Sequence, residues 1–140
     1  MKKNRRAAGK LGKSRRFEDL VGIMGRLLGK GGCPWDREQT HRTLLKYLRE
    51  ETGEVAAAVR KKDWKNLEEE LGDVLLQVVF HSALAKKAGR FDIGDVISGI
   101  NAKLVRRHPH VFGGAPLSTP EEVLAQWDRI KRKEKKGGRR

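Results

Sequence analysis

Apolar residues recur along this chain at three- and four-residue intervals, the spacing of a helix face, and no segment alternates as a half-buried strand would. The first periodic segment runs from Phe17 to Leu28, with Leu20, Ile23, Met24, Leu27 and Leu28 on one side. A glycine-rich break at residues 29–32 and Cys33-Pro34-Trp35-Asp36 follow. A long helix is expected from about Thr40 to Lys61, its stripe made by Leu44, Leu48, Val55 and Val59. Asp63 is placed to cap a third, from about Trp64 to Ala88, which Gly89 closes. Its stripe reads Leu67, Leu71, Val74, Val78 and Ala85. Asp92 opens a fourth helix, with Ile93, Val96, Ile97, Ile100 and Leu104 inward, to about Arg107; Pro109 stops it. Thr119-Pro120-Glu121-Glu122 has the form of a capping box with proline at the first helical position. It opens a fifth helix to about Lys135, in which Val123, Leu124, Trp127 and Ile130 face inward. The pattern predicts an all-α bundle of four to five helices. From Val74 to Phe80 the third helix is apolar nearly all round, more than a small domain easily covers, which predicts a homodimer with that helix near the interface, the alternative being the central helix of a monomeric bundle.

Composition adds a boundary rather than a function. A chain of 140 residues suits one domain. Residues 1–16 hold eight Lys/Arg and no acid, and residues 129–140 hold eight Lys/Arg and one acid. Of the net charge of +14, the two ends therefore carry +15 and residues 17–128 carry −1. The expected organisation is a basic disordered arm over residues 1–16, a folded domain over 17–135 and a basic tail over 136–140. Such tails suit non-specific contact with nucleic acid, or simply keep the ends solvated. No apolar run approaches the ~20 residues that span a bilayer, so no membrane partner is expected. The basic N-terminus lacks the apolar stretch of a secretory signal. Cys33 stands alone, too few thiols for a disulfide or a zinc site, and a reducing cytoplasmic location fits.

The candidate chemistry lies in acids that disturb the apolar stripes. On the second helix Glu51 falls between Leu48 and Val55, Glu54 sits at the stripe's edge and Glu50 further round. On the third, Glu70 borders the stripe, with Asp73 and Gln77 beyond it. A solvated, salt-bridged face explains Glu68 and Glu69 well, but explains Glu51 poorly. Carboxylates pressed toward a core are costly unless paired or metal-bound, and several together raise one another's pKa. A divalent cation resolves that conflict, and oxygen ligands select a hard ion such as Mg²⁺. Elsewhere, Lys103 and Arg107 share one edge of the fourth helix, whereas Arg106 is expected on another face. Lys131 follows Trp127 by one turn, and for Trp127 plain core packing is an equal reading. Two P-loop look-alikes, around Gly29-Lys30 and Gly12-Lys13-Ser14, follow no strand and cannot cradle phosphate. His108 and His110, beside a helix-stopping proline, read as structural.

Glu50-Glu51-x-x-Glu54 followed by Glu70-x-x-Asp73 resembles the signature of MazG-type nucleotide pyrophosphohydrolases. Gly32-Cys33-Pro34-Trp35-Asp36-x-x-Gln39-Thr40, Glu70-Leu71-Gly72-Asp73, Gly89-Arg90-Phe91-Asp92 and the run Lys103 to Phe112 look like that family too. The resemblance covers about residues 17–134 and implies a MazG-like bundle that hydrolyses a nucleoside triphosphate, ribo or deoxy, to the monophosphate and pyrophosphate. Clearing non-canonical nucleotides is one use of such an activity. It implies Mg²⁺ as cofactor, with Mn²⁺ as a substitute, and Glu51, Glu54, Glu70 and Asp73 as metal ligands. Glu50 is similar to an outer acid that orients a ligand or activates water. Lys103 and Arg107 match residues near the substrate phosphates, and Trp127 and Lys131 match a nucleotide-binding pair. Alternative readings are a narrow-specificity hydrolase of dUTP, dCTP or phosphoribosyl-ATP, or a non-catalytic nucleic-acid-binding protein acting through its tails. Many relatives carry two tandem domains where this chain has one, and the basic tails are no part of the family pattern.

Overall fold

The computed structural model describes residues 2–138. Met1 of the basic arm and residues 139–140 of the basic tail lie outside the described residues. Every regular element among the described residues is a helix: α1 (Lys2–Gly12), α2 (Phe17–Leu28), α3 (Pro34–Glu38), α4 (His41–Lys61), α5 (Trp64–Lys87), α6 (Ile93–Arg107), α7 (Pro109–Phe112) and α8 (Pro120–Lys136). The all-α expectation holds, but eight helices replace four to five. Two of the additions, α3 and α7, are short turns started by Pro34 and Pro109, too brief to leave a periodic signal. The third is α1, in the arm expected to be disordered. Its Lys, Arg and Ala residues are good helix formers, yet none of them is buried.

The chain divides into two compact units, Met1–Ile93 and Gly94–Arg140. In the first, α4 and α5 form an antiparallel pair and α2 packs against α5. Caps set the ends. Thr40 accepts from the Thr43 backbone N–H while the Thr43 hydroxyl accepts from the Thr40 N–H, a reciprocal box that stabilises the start of α4. Lys62 ends α4 in the left-handed region at φ 53°, and its N–H reaches the Ala58 and Val59 carbonyls. Asp63 then caps α5 by accepting from Asn66 N–H at 3.1 Å. The tight turn therefore sets the register of the α4–α5 pair, in which residues about equally far from Lys62–Asp63 meet.

The core of this unit joins Met24 and Leu28 of α2, Leu44 of α4, and Val79 and Phe80 of α5. The stripe expected on α5 is displaced. Leu76, Val79, Phe80, Ala83 and Leu84 face the core, while Leu71 and Val78 are 51% and 40% exposed. The reason is that a helix apolar all round offers no unique face, and α2 selects the one it covers. On α4, Val59 is likewise exposed and Ala58 buried in its place.

In the second unit α8 begins as expected at Thr119, whose hydroxyl accepts from Glu122 N–H. Glu122 returns its carboxylate to the Ser118 N–H rather than to Thr119, so the box closes one residue early. Ile97, Ile100 and Leu104 of α6 and Leu124 of α8, expected inward, are exposed in the chain. The one buried residue of α8 is charged: Glu134.

A candidate metal centre between two helices

The register of the α4–α5 pair brings Glu51 opposite Glu70 and Asp73, and carboxylate oxygens of all three lie within 4.8 Å of one another. All three side chains are half-buried. Burial raises the Glu70 carboxyl most, followed by a hydrogen bond with Glu51 and repulsion from Glu51, Asp73 and Glu54, which together push it up to about 7. Glu54 is itself exposed, so three of the four acids expected as ligands gather and the fourth acts on Glu70 through its charge. Glu50 is exposed on the same helix. No lysine or arginine among the described residues forms an ion pair with Glu51, Glu70 or Asp73. Three carboxylates from two helices, ion-paired to no described lysine or arginine and holding a proton to neutral pH, match the donor set of a hard divalent ion. The fit rests on the same oxygens that repel one another when the ion is absent.

One turn beyond Asp73, Gln77 is 6% exposed and its Oε1 has no hydrogen-bond partner. Farther along the same face of α5, His81 meets His41 from the first turn of α4. Their Nδ1 atoms lie 2.8 Å apart and their rings stack at 5.0 Å, 9° from parallel. Burial, then the neighbouring His41, holds the His81 imidazole below its usual pKa, and its Nε2 is buried without a partner. Sequence reasoning missed this pair because its members stand forty positions apart. The signal was available in the hairpin register, since each lies about equally far from the Lys62–Asp63 turn.

In the second unit Lys103 is half-buried near the end of α6. Arg107 pairs with Glu134, Nη2 to Oε2 at 3.0 Å, and Arg106 takes the other oxygen, Nε to Oε1 at 2.6 Å. The expectation that Arg106 faces away is therefore overturned: a long side chain reaches round the last turn, and one buried carboxylate gathers both guanidiniums. On α8 the Lys131 ammonium lies 5.3 Å from the centre of the Trp127 ring, a cation–π contact, and the half-buried Trp127 keeps an unpartnered Nε1–H. His108 Nδ1 bonds the Leu104 carbonyl at 2.6 Å and His110 contacts Gln126, so both imidazoles serve the local fold as expected.

Comparison with known proteins now decides the lineage. The family model described as the MazG nucleotide pyrophosphohydrolase domain matches residues 39–112, from before α4 through α7. The chain belongs to the MazG family. It is 51% identical over 119 residues to the Nucleoside triphosphate pyrophosphohydrolase/pyrophosphatase MazG of Thermotoga maritima, covering 85% of this chain and 45% of that protein. It is 47% identical over 120 residues to the Nucleoside triphosphate pyrophosphohydrolase of Escherichia coli strain K12, covering 85% of this chain and 46% of that one. The chain thus spans about half the length of these curated relatives. Among solved structures, a mazG-related protein from Thermotoga maritima superposes with a TM-score of 0.71 at 35% identity, covering 82% of this chain and 98% of that one. The MazG match contains both halves of the acidic centre, Glu51 on α4 and Glu70 with Asp73 on α5.

Proposed function

We propose that the chain hydrolyses a nucleoside triphosphate, ribo or deoxy, to the monophosphate and pyrophosphate, with Mg²⁺ as cofactor and Mn²⁺ able to replace it. The observation that carries this reading is the convergence of Glu51, Glu70 and Asp73 from two helices, with no described lysine or arginine ion-paired to them. Family membership and the names of the relatives support the reaction type.

Glu51, Glu70 and Asp73 would hold the ion, with Glu54 completing the acidic wall. Bound there, it supplies neutralisation of the triphosphate charge and of the charge growing on the leaving pyrophosphate. Glu50, exposed on α4, is assigned to orient the water that attacks the α-phosphorus in line. The bond broken is the one from the α-phosphorus to the oxygen bridging to the β-phosphate. Oxygen from water ends on the monophosphate, and the departing group is pyrophosphate. By family resemblance, Lys103 and Arg107 are assigned to the phosphates and Trp127 with Lys131 to the nucleotide. The charge of Lys131 over the Trp127 ring and the buried, unpartnered Nε1–H of that indole support the second pair.

A homodimer is part of the proposal. Leu71, Leu75 and Val78 form an exposed apolar stripe on α5, and Ile97, Ile100 and Leu104 form another on α6. Among the described residues no helix is long and apolar enough to cross a membrane, and a cytoplasmic location remains our reading of the lone Cys33. Helix α1 carries five Lys/Arg and no acid, all exposed, which supports non-specific nucleic-acid contact as a secondary property. A panel of ribo- and deoxyribonucleoside triphosphates with Mg²⁺, with dUTP, dCTP and phosphoribosyl-ATP as further arms, tests the main reading. Pyrophosphate is the expected product; orthophosphate as the direct product, or silence across every arm, rejects it.

A further inference from the structure

We infer that Glu134 is a positioning residue for the substrate-binding side of the second unit: it holds Arg107, through one fork of its guanidinium, beside the helix face that carries Trp127 and Lys131. The inference rests on the proposed phosphate role of Arg107 and adds a residue that neither sequence reasoning nor the family resemblance singled out.

The geometry is specific. Trp127, Lys131 and Glu134 are spaced i, i+4 and i+7, so they line one face of α8. Glu134 is 6% exposed, while the face positions before it carry the cation–π pair. Its two oxygens are divided between Arg106 and Arg107, at 2.6 and 3.0 Å. A single carboxylate facing two guanidiniums offsets only one of the two charges, so the cluster keeps a net positive charge for an anion to meet. Each guanidinium satisfies one of the two buried carboxylate oxygens, so removing Glu134 frees both at once. The Arg107 side chain is 14% exposed and its Nε has no partner, so its orientation depends mainly on the bond to Glu134. The two arginines hold the Glu134 carboxyl at about 2, so it remains ionised and the clamp persists across the physiological range. Being buried, Glu134 acts through Arg107 and does not itself touch the substrate.

Steady-state kinetics with Mg²⁺ on the common nucleoside triphosphates test this, using Arg107→Ala, Glu134→Gln and the double variant. Glu134→Gln is expected to raise KM about tenfold with kcat nearly unchanged, because a loosened guanidinium must be re-ordered by each substrate. In the Arg107→Ala background the same change should add less than about twofold, since the residue it acts through is gone. A purely structural role would instead lower kcat by reducing the folded fraction, at constant KM. Because Glu134→Gln removes a buried charge partner and could unfold the unit, Glu134→Asp serves as the second variant. It keeps the charge but is one methylene short of spanning both arginines, and a KM rise of a few-fold is expected. Wild-type KM in Glu134→Asp, or additive effects in the double variant, overturns the positioning role while leaving the phosphate role of Arg107 standing. A silent Arg107→Ala overturns both, and a lowered KM in Glu134→Gln shows that Glu134 competes with substrate instead.

Discussion

The α4–α5 hairpin presses like groups together at both of its ends, and the two ends resolve the conflict in opposite ways. Near the Lys62–Asp63 turn, Glu51, Glu70 and Asp73 crowd their carboxylates within 4.8 Å, and Glu70 keeps its proton to about 7. At the far end His41 and His81 stack, with Nδ1 atoms 2.8 Å apart, and burial keeps His81 neutral. The imidazole pair resolves the conflict with one proton between the two Nδ1 atoms, one ring donating and the other accepting, although the buried His81 Nε2 keeps no partner. The acidic group has no such solution at neutral pH, since removing its shared proton leaves like charges in contact. In the proposed reading a divalent cation relieves this repulsion, since no described lysine or arginine pairs with these acids. The contrast fits the proposed division of labour, a ligand at one end and packing at the other, although both are polar groups in the same helix interface.

The largest expected effect separates the ends by activity. Glu51→Gln or Glu70→Gln should reduce turnover on the order of a hundredfold or more while leaving helical circular dichroism intact. His81→Phe should leave kcat/KM within about threefold, as a residue remote from the chemistry does. Equal losses at the two ends would erase the distinction.

The next effect is on pH and stability without metal. For Glu70 the folded pKa is raised, from 4.5 to about 7, so the folded state binds the proton more tightly than the unfolded chain. Its contribution is complete below about 4.5 and is lost as pH rises through about 7. For His81 the folded pKa is lowered from 6.5, so its neutral form favours the fold above 6.5 and stability falls as pH drops below that value. Metal-free His81→Phe should therefore show a thermal midpoint that climbs as pH falls from 7 toward 5. Metal-free Glu70→Gln should show the reverse. Saturating Mg²⁺ should flatten the first trend by replacing the proton, and it should not touch the second. A Mg²⁺ response that survives in Glu70→Gln would count against the proposed ligand set.

A smaller effect concerns the imidazole end alone. At pH 8 His81→Phe should change stability by no more than about 1 kcal/mol, because one neutral hydrogen bond is exchanged for apolar packing. Chemical denaturation at pH 8 measures this; a loss of several kcal/mol would mean the pair carries more than packing. The smallest expected effect lies outside the hairpin. Deleting residues 1–16 should alter kcat by less than about twofold while weakening salt-sensitive nucleic-acid binding, since no residue of α1 is buried. Lost turnover would show that α1 serves the site.

How legible these regions were depends on the kind of signal each leaves. Helix boundaries set by local chemistry could be read directly: Thr40, Asp63, Gly89 and Thr119 all stand at the ends expected of them. So could the acidic centre, because Glu51 interrupts an apolar stripe. The covered face of α5 could not be read, since its apolar residues surround the axis and the choice of Val79 and Phe80 belongs to α2. Arg106 was misplaced for another reason. A wheel records where a Cβ starts, whereas a guanidinium several bonds away answers to the nearest buried carboxylate, here Glu134. The histidine pair required knowing the hairpin register first.

Gly32 carries a consequence for how sequences of this kind can drift. It lies where the link after α2 folds back, just before Cys33 N–H bonds the Leu27 carbonyl at 2.8 Å. A Cβ at Gly32 would strike the Leu27 carbonyl oxygen and crowd that of Arg26, both of them backbone atoms that no rotamer change can move aside. Its neighbour Gly31 has the left-handed φ of 76° but open space around it. In a library randomised over residues 31 and 32 and selected for folded protein, asparagine should be recovered at the first position and nothing but glycine at the second. Two adjacent glycines that look interchangeable on paper would thus show different mutational tolerance, one limited by torsion and the other by volume.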